Sequence, residues 1–305
     1  MKDSVGVVSP NPAASLLHAA AGEALKQLTA VRPIPDEAIH EARKSLKKAR
    51  AALRLLRDGL SDTAYRRENA RLRDAGHLLT PLRDAKSLID ALDSLQKRYA
   101  SKLPDNGLAP LNKILHANLA KAHRHFHPGA THESAELNNC VRLIQNSLAM
   151  AKRQKIRSIE PVHIGSGLRR IYRKGRKAQA EARADPTTGR LHEWRKQVKY
   201  LLNATDGLRS MGSNGNGVKK MLKRADRLAD LLGKDHELAM LALEIDRVNQ
   251  ASASADAMIK RLHRFIDRSR AKLQKRAFKS GTKLYDQKPR QFAKRACARV
   301  CTAPC

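Results

Sequence analysis

Six residues at positions 39–44, IHEARK, return 152 positions later as LHEWRK at 191–196. A second stretch, LLTPLRDAKSLIDALD at 78–93, aligns with ADLLGKDHELAMLALE at 229–244 at an offset of 151. Two matches at nearly one offset predict an internal duplication, with two similar units packed side by side about an approximate two-fold. The units are expected over about residues 11–155 and 160–300, leaving a flexible N-terminus at 1–10 and a tail at 301–305.

Each unit reads as a bundle of helices. Between residues 39 and 60, Ile39, Ala42, Leu46, Ala49, Leu53, Leu56 and Leu60 recur every three or four positions, which in an α-helix forms one buried stripe. The same period runs through most of the chain. Helices are predicted at about 12–31, 36–59, 63–79, 82–100, 107–127, 133–153, 161–183, 188–210, 217–232, 235–249, 254–280 and 288–299. Gly and Pro gather between them, in RPIPD, LPDNG, HPG, DPTTG and MGSNGNG. The fold class is all-α: two similar helical bundles packed side by side, whose symmetry can bring His40 and His192, with their basic columns, toward one shared groove.

The basic groove comes from a second column, one residue out of step with the apolar stripe. His40, Arg43, Lys47, Arg50, Arg54 and Arg57 lie roughly 100° around the helix from the stripe and extend for roughly 25 Å. Between residues 40 and 57 only Glu41 and no other acid interrupts seven Lys and Arg, so the alternating pairs of an inert surface helix are missing. The column is too long for one small anion and suits a polymer of phosphates. The whole chain leans the same way: 61 Lys and Arg against 29 Asp and Glu give a formal net charge of +32 in 305 residues. With 41% hydrophobic residues there is still material for a packed core. Aromatics are only 3%, and none cluster with the basic residues, which argues against a surface that stacks bases.

The second half carries a shorter column. Arg195, Lys196 and Lys199 follow His192, but Leu202 and Asp206 fall where Arg50 and Arg54 lie in the first half. The preceding helix is expected to compensate with Arg169, Arg173, Arg176 and Lys177. Arg and Lys together can hold a flexible polyanion, the former by its planar fork and the latter as a mobile charge. Arg83 and Lys234 are secondary candidates, each expected near a helix N-terminus where backbone N–H groups attract anions. Asp84 and Asp235 read as caps or ion-pair partners of those starts. His40 and His192 admit two readings, as phosphate contacts or as hydrogen-bonded fixtures of the bundle junction.

No metal site is read from the sequence. The histidines of HRHFH, His123, His125 and His127, are spread around a helix axis, and Cys297, Cys301 and Cys305 match no zinc or iron–sulfur spacing. The GSNGNGVKK stretch lacks the ending of a phosphate loop and reads as a connection. No cofactor is expected. No run of about 18 apolar residues suggests a membrane span, and no leader is read at the N-terminus, so a cytoplasmic protein is expected.

These motifs resemble the conserved-histidine α-helical domain family, CHAD. The resemblance rests on the two histidine-led helix starts, His40-Glu41-Ala42-Arg43-Lys44 and His192-Glu193-Trp194-Arg195-Lys196, and on Arg83-Asp84 and Lys234-Asp235. It rests also on Lys283-Leu284-Tyr285 followed by Lys288-Pro289-Arg290-Gln291-Phe292, so that it covers about residues 11–295. It implies two four-helix bundles around a basic cavity, binding of long-chain inorganic polyphosphate, and association with polyphosphate granules. Some members add a triphosphate-tunnel enzyme domain marked by an ExExK strand; that motif is absent, and a stand-alone binding domain that is not an enzyme is expected. The polyphosphate contacts expected are His40, Arg43, Lys44, Lys47, Arg50, Arg54, Arg83, Arg169, Arg173, Arg176, Lys177, His192, Arg195, Lys196, Lys199 and Lys234. The rival reading is a non-specific nucleic-acid binder, with nucleic acid otherwise a weaker partner than polyphosphate.

Overall fold

The computed structural model describes residues 11–32, 34–103, 105–126, 134–160, 162–252, 257–298 and 300. The expected flexible N-terminus, the tail with Cys301 and Cys305, and His127 all lie outside these residues. Among the described residues the chain is all-α. The first half holds α1 (Pro12–Thr29), α2 (Asp36–Leu55), α3 (Asp62–Leu78), α4 (Thr80–Arg98), α5 (Asp105–Phe126), α6 (Ala135–Ala151) and the short α7 (Gln154–Arg157). The second holds α8 (Val162–Ala184), α9 (Thr188–Ser210), α10 (Asn216–Ser252), α11 (Ala257–Leu284) and α12 (Pro289–Cys297).

Polar residues start several of these helices. Asn11 accepts hydrogen bonds from the Ala13 and Ala14 N–H groups at 2.8 and 3.3 Å, and Ser61, Ser134 and Thr187 do the same for α3, α6 and α9. Asn11 also donates to the Ile159 carbonyl at 2.7 Å, fastening the start of α1 to the link between the halves.

The helix pairings of the first half recur in the second. Helix α1 packs on α2 and α6, as α8 packs on α9 and α12, and α4 lies on α5 as α10 lies on α11. The halves then meet helix to helix, α2 on α9 and α8, and α4 on α10. Helix α2 is therefore buried more widely than its stripe predicts: Ser45, Ala51, Ala52 and Leu55 join Ile39, Ala42, Leu46, Ala49 and Leu53 inside. Small residues allow the closest crossing. A Cβ on Gly167 of α8 would stand 2.5 Å from the Leu55 carbonyl oxygen and 2.8 Å from that of Arg54, so only glycine fits where α8 crosses the end of α2.

One expectation is overturned. Residues 217–249 were expected to form two helices with a start at Lys234-Asp235, but α10 runs unbroken from Asn216 to Ser252. The aligned region of the first half does break, between Leu78 and Thr80, because Pro81 at the start of α4 has no N–H to continue α3 and its ring clashes with the preceding turn. At the aligned position of α10 stands Leu232, which is buried and continues the helix. Gly233 costs the helix about 1 kcal/mol, well under the cost of a proline, and lies inside it, against Arg195. Asp235 is accordingly no cap. It is a buried mid-helix carboxylate that accepts hydrogen bonds from Arg270 Nε at 3.1 Å and Gln274 Nε2 at 2.9 Å, tying α10 to α11.

Candidate anion-binding cleft between the halves

The basic column of α2 divides into residues with partners and residues without. Arg43 donates through Nη1 to the Gly76 carbonyl at 3.1 Å and to Thr80 Oγ1 at 2.7 Å, so it bridges the break between α3 and α4. Lys44 is exposed and paired with Glu41 at 3.0 Å. Further along, Arg54 lies over the ring of Tyr200 from α9 at 3.6 Å, with Arg50 at 5.9 Å from the same ring. Arg50 reaches Asn69 at 3.4 Å and Arg54 donates back to the Arg50 carbonyl at 3.0 Å. His40, at the head of the column, is exposed.

Lys47 is the member left among like charges. Its side chain is exposed at the surface yet crowded by the surrounding helices, and the loss of hydration there pulls its ammonium down to about 8, with Arg43 on its own helix, Lys199 and Arg195 on α9, and Arg83 on α4 pulling in the same direction. Burial likewise lowers the pKa of Lys199, and Arg195 lowers it further, while Asp230, Asp226 and Glu237 of α10 oppose the change. Burial also holds Arg195 below the ordinary arginine value, with Glu237 and Asp84 opposing and Arg83 reinforcing it. Arg195 Nε is buried with no hydrogen-bond partner. Five cations from α2, α4 and α9 therefore converge where the halves meet, faced by Asp84 and Glu237.

Beside this cluster the His192 and His236 rings stand 4.5 Å apart, tilted at 45°, each with a buried Nδ1 that has no partner. Burial lowers both, His236 to about 4, with Arg195 adding to each, so the His236 imidazole is neutral at pH 7. The second-half column ends as its sequence suggests. Lys196 is paired with Glu193 at 2.6 Å, matching Lys44 and Glu41, and Asp206 reaches Lys48 of α2 at 3.9 Å.

The remaining sequence candidates lie elsewhere. Lys234 is an exposed residue in the middle of α10, so the anion-attracting N-terminus expected for it does not exist. Arg169, Arg173, Arg176 and Lys177 are exposed on α8, and none is among the charges that act most strongly on Lys47, Arg195 or Lys199. Lys177 reaches Glu181 at 3.6 Å, and Arg176 lies with Arg224 and Asp286 around Tyr172. His236 and Glu237 are the neighbours that sequence reading missed. Both lie in the aligned 229–244 segment, which was weighed only at its Lys-Asp pair.

Among the described residues no group of three His, Cys, Asp or Glu side chains is gathered as metal ligands would be. His123 stands 3.5 Å from Asp36 instead. No helix is long and apolar enough to cross a membrane among the described residues.

Comparison with known proteins gives a family and two structures. The sequence matches the CHAD domain over residues 15–246. PptA from Streptomyces chartreusis superposes with a TM-score of 0.67 at 15% identity, covering 92% of this chain and 100% of that one. The CHAD domain from the plant Ricinus communis superposes with a TM-score of 0.59 at 14% identity, covering 93% and 94%. No curated protein matches the sequence.

Proposed function

The chain belongs to the CHAD domain family, and from that premise we propose that it binds long-chain inorganic polyphosphate in the cleft where α2 meets α9. The observation that carries this reading is Lys47, whose strongest charged neighbours are four cations. A cluster of that kind is costly to the free protein and is relieved when a polyanion enters. Arg43, Arg195, Lys199 and Arg83 complete the cradle, and Arg50 and Arg54 extend it along α2. Binding releases counterions from the polymer, so affinity falls steeply with salt. We assign the protein no reaction of its own, and its accumulation in the cytoplasm at polyphosphate granules follows from polymer binding.

Isothermal titration with long-chain polyphosphate at about 150 mM salt tests the reading. Tight binding should survive excess duplex DNA and collapse in a folded Arg43→Ala, Lys47→Ala, Arg195→Ala, Lys199→Ala variant. Equal displacement by DNA would replace it with non-specific polyanion binding. Retention of full affinity by the variant would remove the cleft from the site.

A further inference from the structure

A second concentration of positive charge lies away from the cleft. Between the N-terminal part of α10 and the C-terminal part of α11 runs a groove of about 550 Å³, with Lys220, Lys223 and Arg227 on one wall and Arg276, Lys279 and Lys283 on the other. All six side chains belong to exposed residues, and none has a carboxylate within ion-pairing distance among the described residues. Asp286 is held at 3.0 Å by Arg224, whose guanidinium also donates to the Lys283 carbonyl and so laces α10 to the end of α11.

We propose that this groove is a second anion site, which takes a short linear oligophosphate. Three arguments fix the ligand class. Each wall runs over eight residues, roughly 10 Å of helix from first to last, so the site fits a few phosphates and not a long polymer. No aromatic ring lines it, which leaves a nucleoside base nothing to stack on. Two facing rows of lysine and arginine, with no fixed partner, accept phosphate oxygens from both sides without imposing one geometry. The groove is separate from the cleft. On α10, Asp226 and Asp230 stand three residues beyond Lys223 and Arg227, on the flank of the groove, and also act on Lys199, so their carboxylates interrupt a continuous basic path between the two sites.

Titration with inorganic tripolyphosphate at about 150 mM salt reads the site directly. The parent protein should bind at two sites. The cleft variant Arg43→Ala, Lys47→Ala, Arg195→Ala, Lys199→Ala should keep the groove site. A Lys223→Glu, Arg227→Glu, Lys279→Glu variant should lose it, with affinity falling roughly tenfold or more. The milder Lys223→Gln, Lys279→Gln pair should weaken the same site by a few fold, which guards against a folding defect in the triple variant. A control of equal charge, Lys97→Glu, Lys113→Glu, Lys121→Glu, should leave the groove affinity within about twofold. The proposal fails if the cleft variant binds no tripolyphosphate, or if the groove and control variants weaken binding equally. Neither failure bears on long-polymer binding in the cleft, which the polyphosphate titration reads separately.

Discussion

Arg43 and Arg195 occupy aligned positions in the two halves and live different lives. Arg43 meets a broken helix, and the break supplies it with the Gly76 carbonyl and the Thr80 hydroxyl. Arg195 meets the unbroken α10, where the aligned residue to Thr80 is Leu231, and its Nε finds no partner. A single proline separates the two situations. Where Pro81 opens the helix, the arginine becomes an interhelical brace; where Leu232 keeps it closed, the arginine stays available to an anion. Aligned positions thus hold one arginine tied into the fold by hydrogen bonds and one whose Nε is left without a partner.

Leu232→Pro would impose the first half's break on the second and carries the largest expected effect. It removes a mid-helix hydrogen bond and a buried leucine, so stability should fall by about 3 kcal/mol or more, read by thermal or denaturant unfolding. A smaller loss would mean that α10 tolerates the break its counterpart contains.

Replacing each arginine by methionine measures the comparison itself. Arg43→Met should lower stability by about 1–3 kcal/mol, since the hydrogen bonds to the Gly76 carbonyl and the Thr80 hydroxyl disappear. Arg195→Met should leave stability within about 0.5 kcal/mol and weaken polyphosphate binding by roughly tenfold. Equal stability losses would erase the distinction.

The smallest effect is in the pH dependence of Lys47. Its pKa in the folded protein, about 8, lies below the unfolded value, so between about 8 and the ordinary lysine value the unfolded chain holds more protons. The free protein should therefore gain stability from this group as pH rises through that window, with the penalty fully present below it. A bound polyanion reverses the shift. Polyphosphate binding at pH 8 should take up protons, seen as a dependence of the titration heat on buffer ionisation, and affinity should fall from pH 7 to 9. Lys47→Met should flatten both.

The sequence reveals the α2 column and the pairing of Arg195 with Lys199 because a helix writes its faces at a fixed period, and one charged stripe beside one apolar stripe is visible without coordinates. It conceals which stripes meet. The sequence leads one to expect the arginines of α8 to compensate for the short column of α9, yet of the second half's candidates Arg195 and Lys199 are the ones that act on Lys47, because α2 packs on α9. The misread break in α10 has a similar cause. Gly233 followed by Lys234-Asp235 looks like punctuation, but a buried glycine inside a packed helix is tolerated, whereas Pro81 leaves the backbone no choice. The groove walls formed by α10 and α11 come from segments about 56 residues apart and share no repeat, so only packing brings them together.

Trp194 is the single tryptophan of the chain, fully buried, stacked at 5.2 Å on Phe278 of α11, and adjacent in sequence to Arg195. Its emission should be blue-shifted and protected from iodide or acrylamide in the free protein, and should redden only when α11 separates from α9. Fluorescence therefore offers an optical clock for the docking of α11 on the buried ring during folding.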